Sequence, residues 1–283
     1  MRHFFLMITS AGFLACVCAC TGESAEHKAA TALSNSADSC MAAGDFARAI
    51  SLLDSLNNAY PKEIDIRKAS NLKRAKAFEG LALSQIPRLD AQLDSLNAVV
   101  AALYPDFIQE QSTSSLSPYA LYKSIAGQSL TSGAGIQPRV NVSADDAADT
   151  PWSIAVNAGK NIGLNAIETV TRNGRRFRMK AYSADGQMGT VTPEAAAEAA
   201  GYLFDNPGDP AVSATLSGTR GQVNVKLNAS TSQAIAESWN YACTKARLRA
   251  SLVNRERVEQ QLQIARDQAA NAATPDSDNT DND

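Results

Sequence analysis

Residues 72–103 read LKRAKAFEGLALSQIPRLDAQLDSLNAVVAAL. Within this run Leu72, Ala75, Glu79, Ala82, Ile86, Leu89, Leu93, Leu96, Val100 and Leu103 follow one another at steps of three and four. That spacing returns to one side of a helix at every turn, which makes a heptad seam with one polar interruption, Glu79. An amphipathic helix is stable in water only when its apolar stripe is covered, so the seam requires a partner. Tyr241, Leu248, Leu252, Val258, Leu262, Ala265 and Ala269, which share one side of a helical wheel, supply it. The fold class expected is therefore α+β: a long-helix hairpin or coiled-coil bundle with a small antiparallel β domain inserted between its helices. Pro87 lies inside the first seam, where proline removes a backbone hydrogen bond at about 3 kcal/mol. Because the register continues across it, we expect one kinked helix. Two helices divided at Ser84 are the alternative.

Between the seams the texture changes. Gln137–Val142, Trp152–Val156, Ile167–Arg172 and Arg175–Ala181 read as strands, with Asn173-Gly174 as a type I′ hairpin turn. Gly159-Lys160-Asn161 reads as another hairpin turn. Thr192-Pro193-Glu194 opens an alanine-rich helix, with Thr192 as its cap and Pro193 in its first position. Ala211–Leu216 and Gln222–Leu227 make a further hairpin, and Ser230 with Gln233 resembles a capping box for the last helix. The segments expected are a leader at 1–19, a flexible tether at 20–33, a helical part at 34–111 and the β domain at 112–229. A C-terminal helix at 230–270 and a disordered acidic tail at 271–283 complete the chain. Residues 112–135, rich in Ser, Thr and Gly, read as connector.

Arg2 and His3 precede an apolar run from Phe4 to Ala19, the pattern of a secretory leader. It ends in Val17-Cys18-Ala19-Cys20, which resembles the lipobox of bacterial lipoproteins. That resemblance implies cleavage after Ala19, a diacylglyceryl thioether on Cys20, and a membrane anchor. Thr21 after the cysteine implies the outer membrane by similarity to Gram-negative sorting patterns. Glu23 and Glu26 are similar to the acidic export signals of Bacteroidota lipoproteins, although periplasmic and surface exposure both stay open. Further along, Gly44-Asp45-Phe46 with Ala49, Ile50 and Leu53 resembles the second half of one tetratricopeptide unit, and a generic helical hairpin at 34–60 accounts for it equally well.

The chain carries 26 basic and 29 acidic residues, a net charge of −3, and loss of Arg2 with the leader makes it one unit more negative. A mildly acidic chain argues against a dedicated nucleic-acid binder, which needs a concentrated basic face. The two histidines are His3, in the leader, and His27, in the expected tether. A folded part without histidine has no Ser-His-Asp or Cys-His nucleophile and no histidine-built zinc site. No cofactor or metal is implied. Cys40 and Cys243 both fall on expected helices, and a disulfide between them and two buried thiols are both compatible with the sequence.

Candidate chemistry is sparse. Ser70 and Lys73 stand at Ser-x-x-Lys spacing, but the companion motifs of penicillin-recognising enzymes are missing. Asp145, Asp146, Glu168 and Asp185 offer carboxylates for a polysaccharide hydrolase, without a spacing that selects a pair. Arg172, Arg175, Arg176 and Arg178, with Lys180, flank the hairpin tip as a basic cluster that could meet acidic glycans, phosphate or lipid headgroups. Trp152 and Tyr182 are possible sugar-stacking rings, with core packing favoured for Trp152 and for Trp239. The function expected is a lipid-anchored, non-catalytic envelope module that presents its β domain to a protein or glycan partner. A carboxylate-dependent hydrolase and a tetratricopeptide-type assembly factor are the alternatives.

Overall fold

The computed structural model describes residues 24–110, 119–127, 133–143 and 152–273. Cys20, Asp145, Asp146 and the acidic tail from 274 onward lie outside them. Among the described residues nine strands fall in sequence between two long helices, so the chain is α+β as expected. It divides into two compact units, residues 82–263 and residues 1–81 with 264–283.

In the smaller unit, α1 (Ala25–Ala42) and α2 (Phe46–Ala59) form a hairpin. Ser24 caps α1 by accepting the His27 N–H at 3.0 Å. The helix thus begins inside 20–33, where a tether was expected. The cue was Ser24 followed by Glu26, a cap and an acid in the first turn. His27 Nδ1 lies 2.8 Å from the Glu63 carboxylate, so this histidine belongs to the fold. Asp45 caps α2 by accepting the Arg48 N–H at 3.2 Å. Ala37, Ala49, Ile50, Leu53 and Ala77 make the core. The last of these lies on α3 (Ile64–Leu103). Gly80 is needed there because a Cβ at this position would overlap the Phe46 ring.

Helix α3 runs unbroken through Pro87. Pro87 and Leu83, whose carbonyl would otherwise accept the N–H of residue 87, are both exposed, so the missing bond falls on the solvent side of the helix. Every expected seam position is buried or half-buried. The partner is α5 (Ala229–Ala273). Within the larger unit Ala82 and Leu89 of α3 pack with Val258 and Leu262 of α5, and Gln92 Nε2 donates to Ser251 Oγ at 3.0 Å. In the smaller unit Arg266 Nε donates to Glu79 at 3.0 Å. The polar interruption of the seam is thus a cross-helix ion pair. Asn228, not Ser230, caps α5: its Oδ1 accepts the Thr231 N–H at 2.8 Å.

The β part begins earlier than the expected residue 112 and holds two sheets. β1 (Phe107–Glu110), β2 (Tyr119–Ser124), β3 (Gly135–Ser143), β4 (Trp152–Asn157) and β7 (Met188–Val191) form one antiparallel sheet in that order. β6 (Arg176–Lys180), β5 (Leu164–Thr171), β8 (Ala211–Gly218) and β9 (Gly221–Lys226) form the other. Gly159-Lys160-Asn161 therefore belongs to a crossover between sheets, since β4 and β5 do not pair. β1, β2 and β7 escape a pattern reading because they are short or embedded in Ser- and Thr-rich sequence. The sheets share a core of Ile136, Ile154 and Val156 with Ile167, Met179 and Leu216. Ala196, Ala199 and Leu203 of α4 (Pro193–Asp205) and Ile235 and Tyr241 of α5 join it.

Candidate functional site

Alternation along the four-stranded sheet sorts its residues onto two faces. Ile167, Thr169, Phe177, Met179, Ala214, Leu216 and Val225 point into the core and are buried. The pairing register lines up the opposite face in three rows across β6, β5, β8 and β9. The first is Arg176, Val170, Ser213 and Lys226. The second is Arg178, Glu168, Thr215 and Asn224, and the third Lys180, Ala166, Ser217 and Gln222. Each row crosses four strands, about 14 Å, and the rows stand about 7 Å apart.

Among the described residues four cations on this face meet one carboxylate. Glu168 Oε1 lies 2.8 Å from Arg176 Nη1, so that pair is internally compensated. Arg178 and Lys226 make no ion pair among the described residues, and Lys180 Nζ stands 4.7 Å over the Tyr182 ring. Thr215 Oγ1 donates to Asn224 Oδ1 at 3.0 Å. Next to Glu168 the face dips into a depression of about 300 Å³, bounded by Arg178, Thr215, Ser217 and Gln222.

The arginines of the hairpin do not act as one cluster. Arg176 and Arg178 lie on the open face. Arg175 turns onto α4, with its guanidinium 4.4 Å over the Tyr202 ring and 5.2 Å over Phe177, and 3.6 Å from Glu198. Arg172 sits in the turn, its N–H donating to the Pro210 carbonyl at 3.0 Å. That turn also differs from expectation. Among the described residues no residue other than glycine has positive φ, which excludes a type I′ turn with Asn173 left-handed. Instead Gly174 donates to Thr171 O at 2.9 Å and itself takes the left-handed φ of 84°. That is the pattern of a type I turn followed by a left-handed glycine.

The buried Asp209 holds this tip. Its carboxylate accepts from Thr171 Oγ1, the Asn173 N–H and the Tyr202 hydroxyl, each at 2.8 Å. Burial pushes its pKa up, but these three donors and the nearby Arg172 outweigh burial and hold the carboxyl below its ordinary range.

The remaining candidates are occupied elsewhere. Asp185 accepts the N–H groups of Gln187 and Met188 in its own loop, which lowers its pKa. Lys73 Nζ donates to Ser34 and Asp38 of α1, and Ser70 Oγ lies 2.9 Å from Asn57 Oδ1, so the two are not a catalytic couple. Cys40 and Cys243 are free thiols, and burial raises the Cys243 pKa. Trp152 is buried in the core, Trp239 is half-buried against Phe204 at 5.7 Å between ring centroids, and Tyr182 is exposed. The arrangement can hold an anion or a polyhydroxylated chain by charge and many hydrogen bonds. No local signal in the sequence marks Ser213, Thr215, Ser217, Gln222, Asn224 and Lys226 as one face. The alternation of Val223 and Val225 with Asn224 and Lys226 was visible, but not which strands would stand beside them. Comparison with protein-family models, with curated proteins and with solved structures returns no match for this chain.

Proposed function

We propose that this protein is a lipid-anchored, non-catalytic binding module of the bacterial cell envelope that takes an acidic glycan across the face of its four-stranded sheet. The carrying observation is that face: Arg176, Arg178, Lys180 and Lys226 around a lawn of hydroxyls and amides, with Glu168 as the one carboxylate. Charged rims steer an anionic polymer, and short polar side chains bond sugar hydroxyls without a deep pocket. A non-catalytic reading is supported by the carboxylates of the β region. Glu168 is engaged by Arg176 and Asp185 by its own loop, so neither is poised as an acid or base opposite the other. The anchor rests on Cys20 and its lipobox-like setting.

Affinity electrophoresis in gels containing polygalacturonate or dextran tests the reading. The protein is expected to be retarded by polygalacturonate and not by neutral dextran, and less so as salt screens the charges. Arg178→Glu with Lys180→Glu should abolish retardation. Equal retardation by dextran, or none lost in the variant, would refute the assignment. Cys20→Ala should release the protein from membranes and stop incorporation of labelled palmitate.

A further inference from the structure

The basic residues of α5 hold a second feature that no sheet residue enters. Lys245, Arg247, Arg249, Arg255 and Arg257 follow closely along this helix, with Glu256 among them. Arg255 is taken up by Asp90 of α3 and by Glu259. Arg257 is not: it lines a groove of about 330 Å³ between the helices, together with Asn254 of α5 and Gln85, Arg88, Leu89 and Gln92 of α3. Neither Arg88 nor Arg257 meets a carboxylate among the described residues. Arg257 Nη2 is oriented by Asn254 Oδ1 at 2.7 Å, which leaves its other N–H groups for a ligand.

Two guanidinium groups lining one groove repel each other until an anion enters between them. Guanidinium favours phosphate and carboxylate because its parallel N–H groups match two oxygens at once. Gln85, Gln92 and Asn254 add amide groups without adding charge. A second concavity of about 470 Å³ continues from Asn254 and Arg257 along α5, over Ala246, Ala250 and Val253, with Arg249 at its border. Val253 is 53 % exposed there. A cationic groove that opens onto an apolar shelf matches a ligand with an anionic head and a hydrocarbon body. A second copy of the chain does not fit, since a self-complementary contact through this face would set the Arg88 and Arg257 cations of one copy against those of the other.

We propose that this groove binds a phosphate-bearing amphiphile of net negative charge, with its oxyanion between Arg88 and Arg257 and its hydrocarbon on Ala246, Ala250 and Val253. The site is independent of the sheet face. Isothermal titration calorimetry on the full chain, with inorganic phosphate, monomeric dihexanoylphosphatidylglycerol and monomeric dihexanoylphosphatidylcholine, tests it. Phosphatidylglycerol should bind most tightly. Arg88→Ala and Arg257→Ala should each weaken both phosphate and phosphatidylglycerol about tenfold. Val253→Ser should weaken the lipid alone. These are exposed helical positions, and circular dichroism should show parental helix content in each variant. Unchanged affinity in both arginine variants overturns the site, as does equal binding of phosphatidylcholine. Inorganic phosphate binding as tightly as phosphatidylglycerol overturns the role of the shelf.

Discussion

The Tyr202 hydroxyl donates to the Asp209 carboxylate at 2.8 Å, and this bond fastens the tip of the β5–β6 hairpin to α4. The same carboxylate holds Thr171 and Asn173, so one buried acid sets where the turn leaves the sheet. From there Arg176 and Arg178 run out onto the open face, while Arg175 lies back on Tyr202.

Asp209 makes stability pH-dependent in a stated direction. A carboxyl whose pKa is lowered by folding stabilises the native state above its unfolded value, about 3.9, and this contribution is lost as pH falls through the lower folded value. Asp209→Asn should lower the melting temperature near neutrality, and the gap to the parent should close as the pH is taken well below 4. Thermal melts across that range check this, and a gap that persists in strong acid counts against it.

Gly80 leaves room for Phe46. Gly80→Ala should destabilise the protein by about 1–3 kcal/mol through overpacking. Phe46→Leu in the same background should recover part of the loss. Urea denaturation of the two variants and the double variant reads the coupling, and simple additivity would show that the ring is not the obstacle.

Pro87 interrupts the hydrogen-bond ladder of an otherwise continuous helix on its exposed side. Pro87→Ala should therefore stabilise the chain by about 1–3 kcal/mol in denaturant titrations. A loss of stability would mean that the proline shapes the helix in a way the packing depends on.

Arg175 and Arg178 are neighbours in sequence with different tasks. Arg175→Ala should lose about 0.5–1 kcal/mol of stability by removing the stacking on Tyr202 and Phe177, with polygalacturonate retardation retained. Arg178→Ala should weaken retardation and leave the melting temperature within a degree or two of the parent. If the two variants behave alike, the division of the cluster between hairpin tip and sheet face is wrong.

The two-face logic of the helices was legible at the level of single residues. Leu89, Leu93, Val258 and Leu262 could be assigned to a seam because helical periodicity is local and repeats many times. The β part was less legible. β5, β6, β8 and β9 carry alternation or a glycine turn that marks them, whereas β1 and β7 are four residues long and offer too few repeats to show a period. The cap of α5 was misplaced because Asn228 and Ser230 are both good capping residues, and choosing between them depends on where the backbone turns.

The candidate site divides in the same way. From sequence alone came the α+β class, the apolar seams of the two long helices, the basic hairpin and the lipobox-like setting of Cys20, each carried by local pattern along the chain. Tertiary structure decided that Glu168 neutralises Arg176, that Arg175 leaves the cluster for Tyr202, and that Ser213, Thr215, Asn224 and Lys226 complete the face. It also brought Arg88 and Arg257 into one groove. Those relations join residues far apart in the chain. They depend on strand order and helix register, which no local period encodes, because the free energy that selects them comes from burying the shared core.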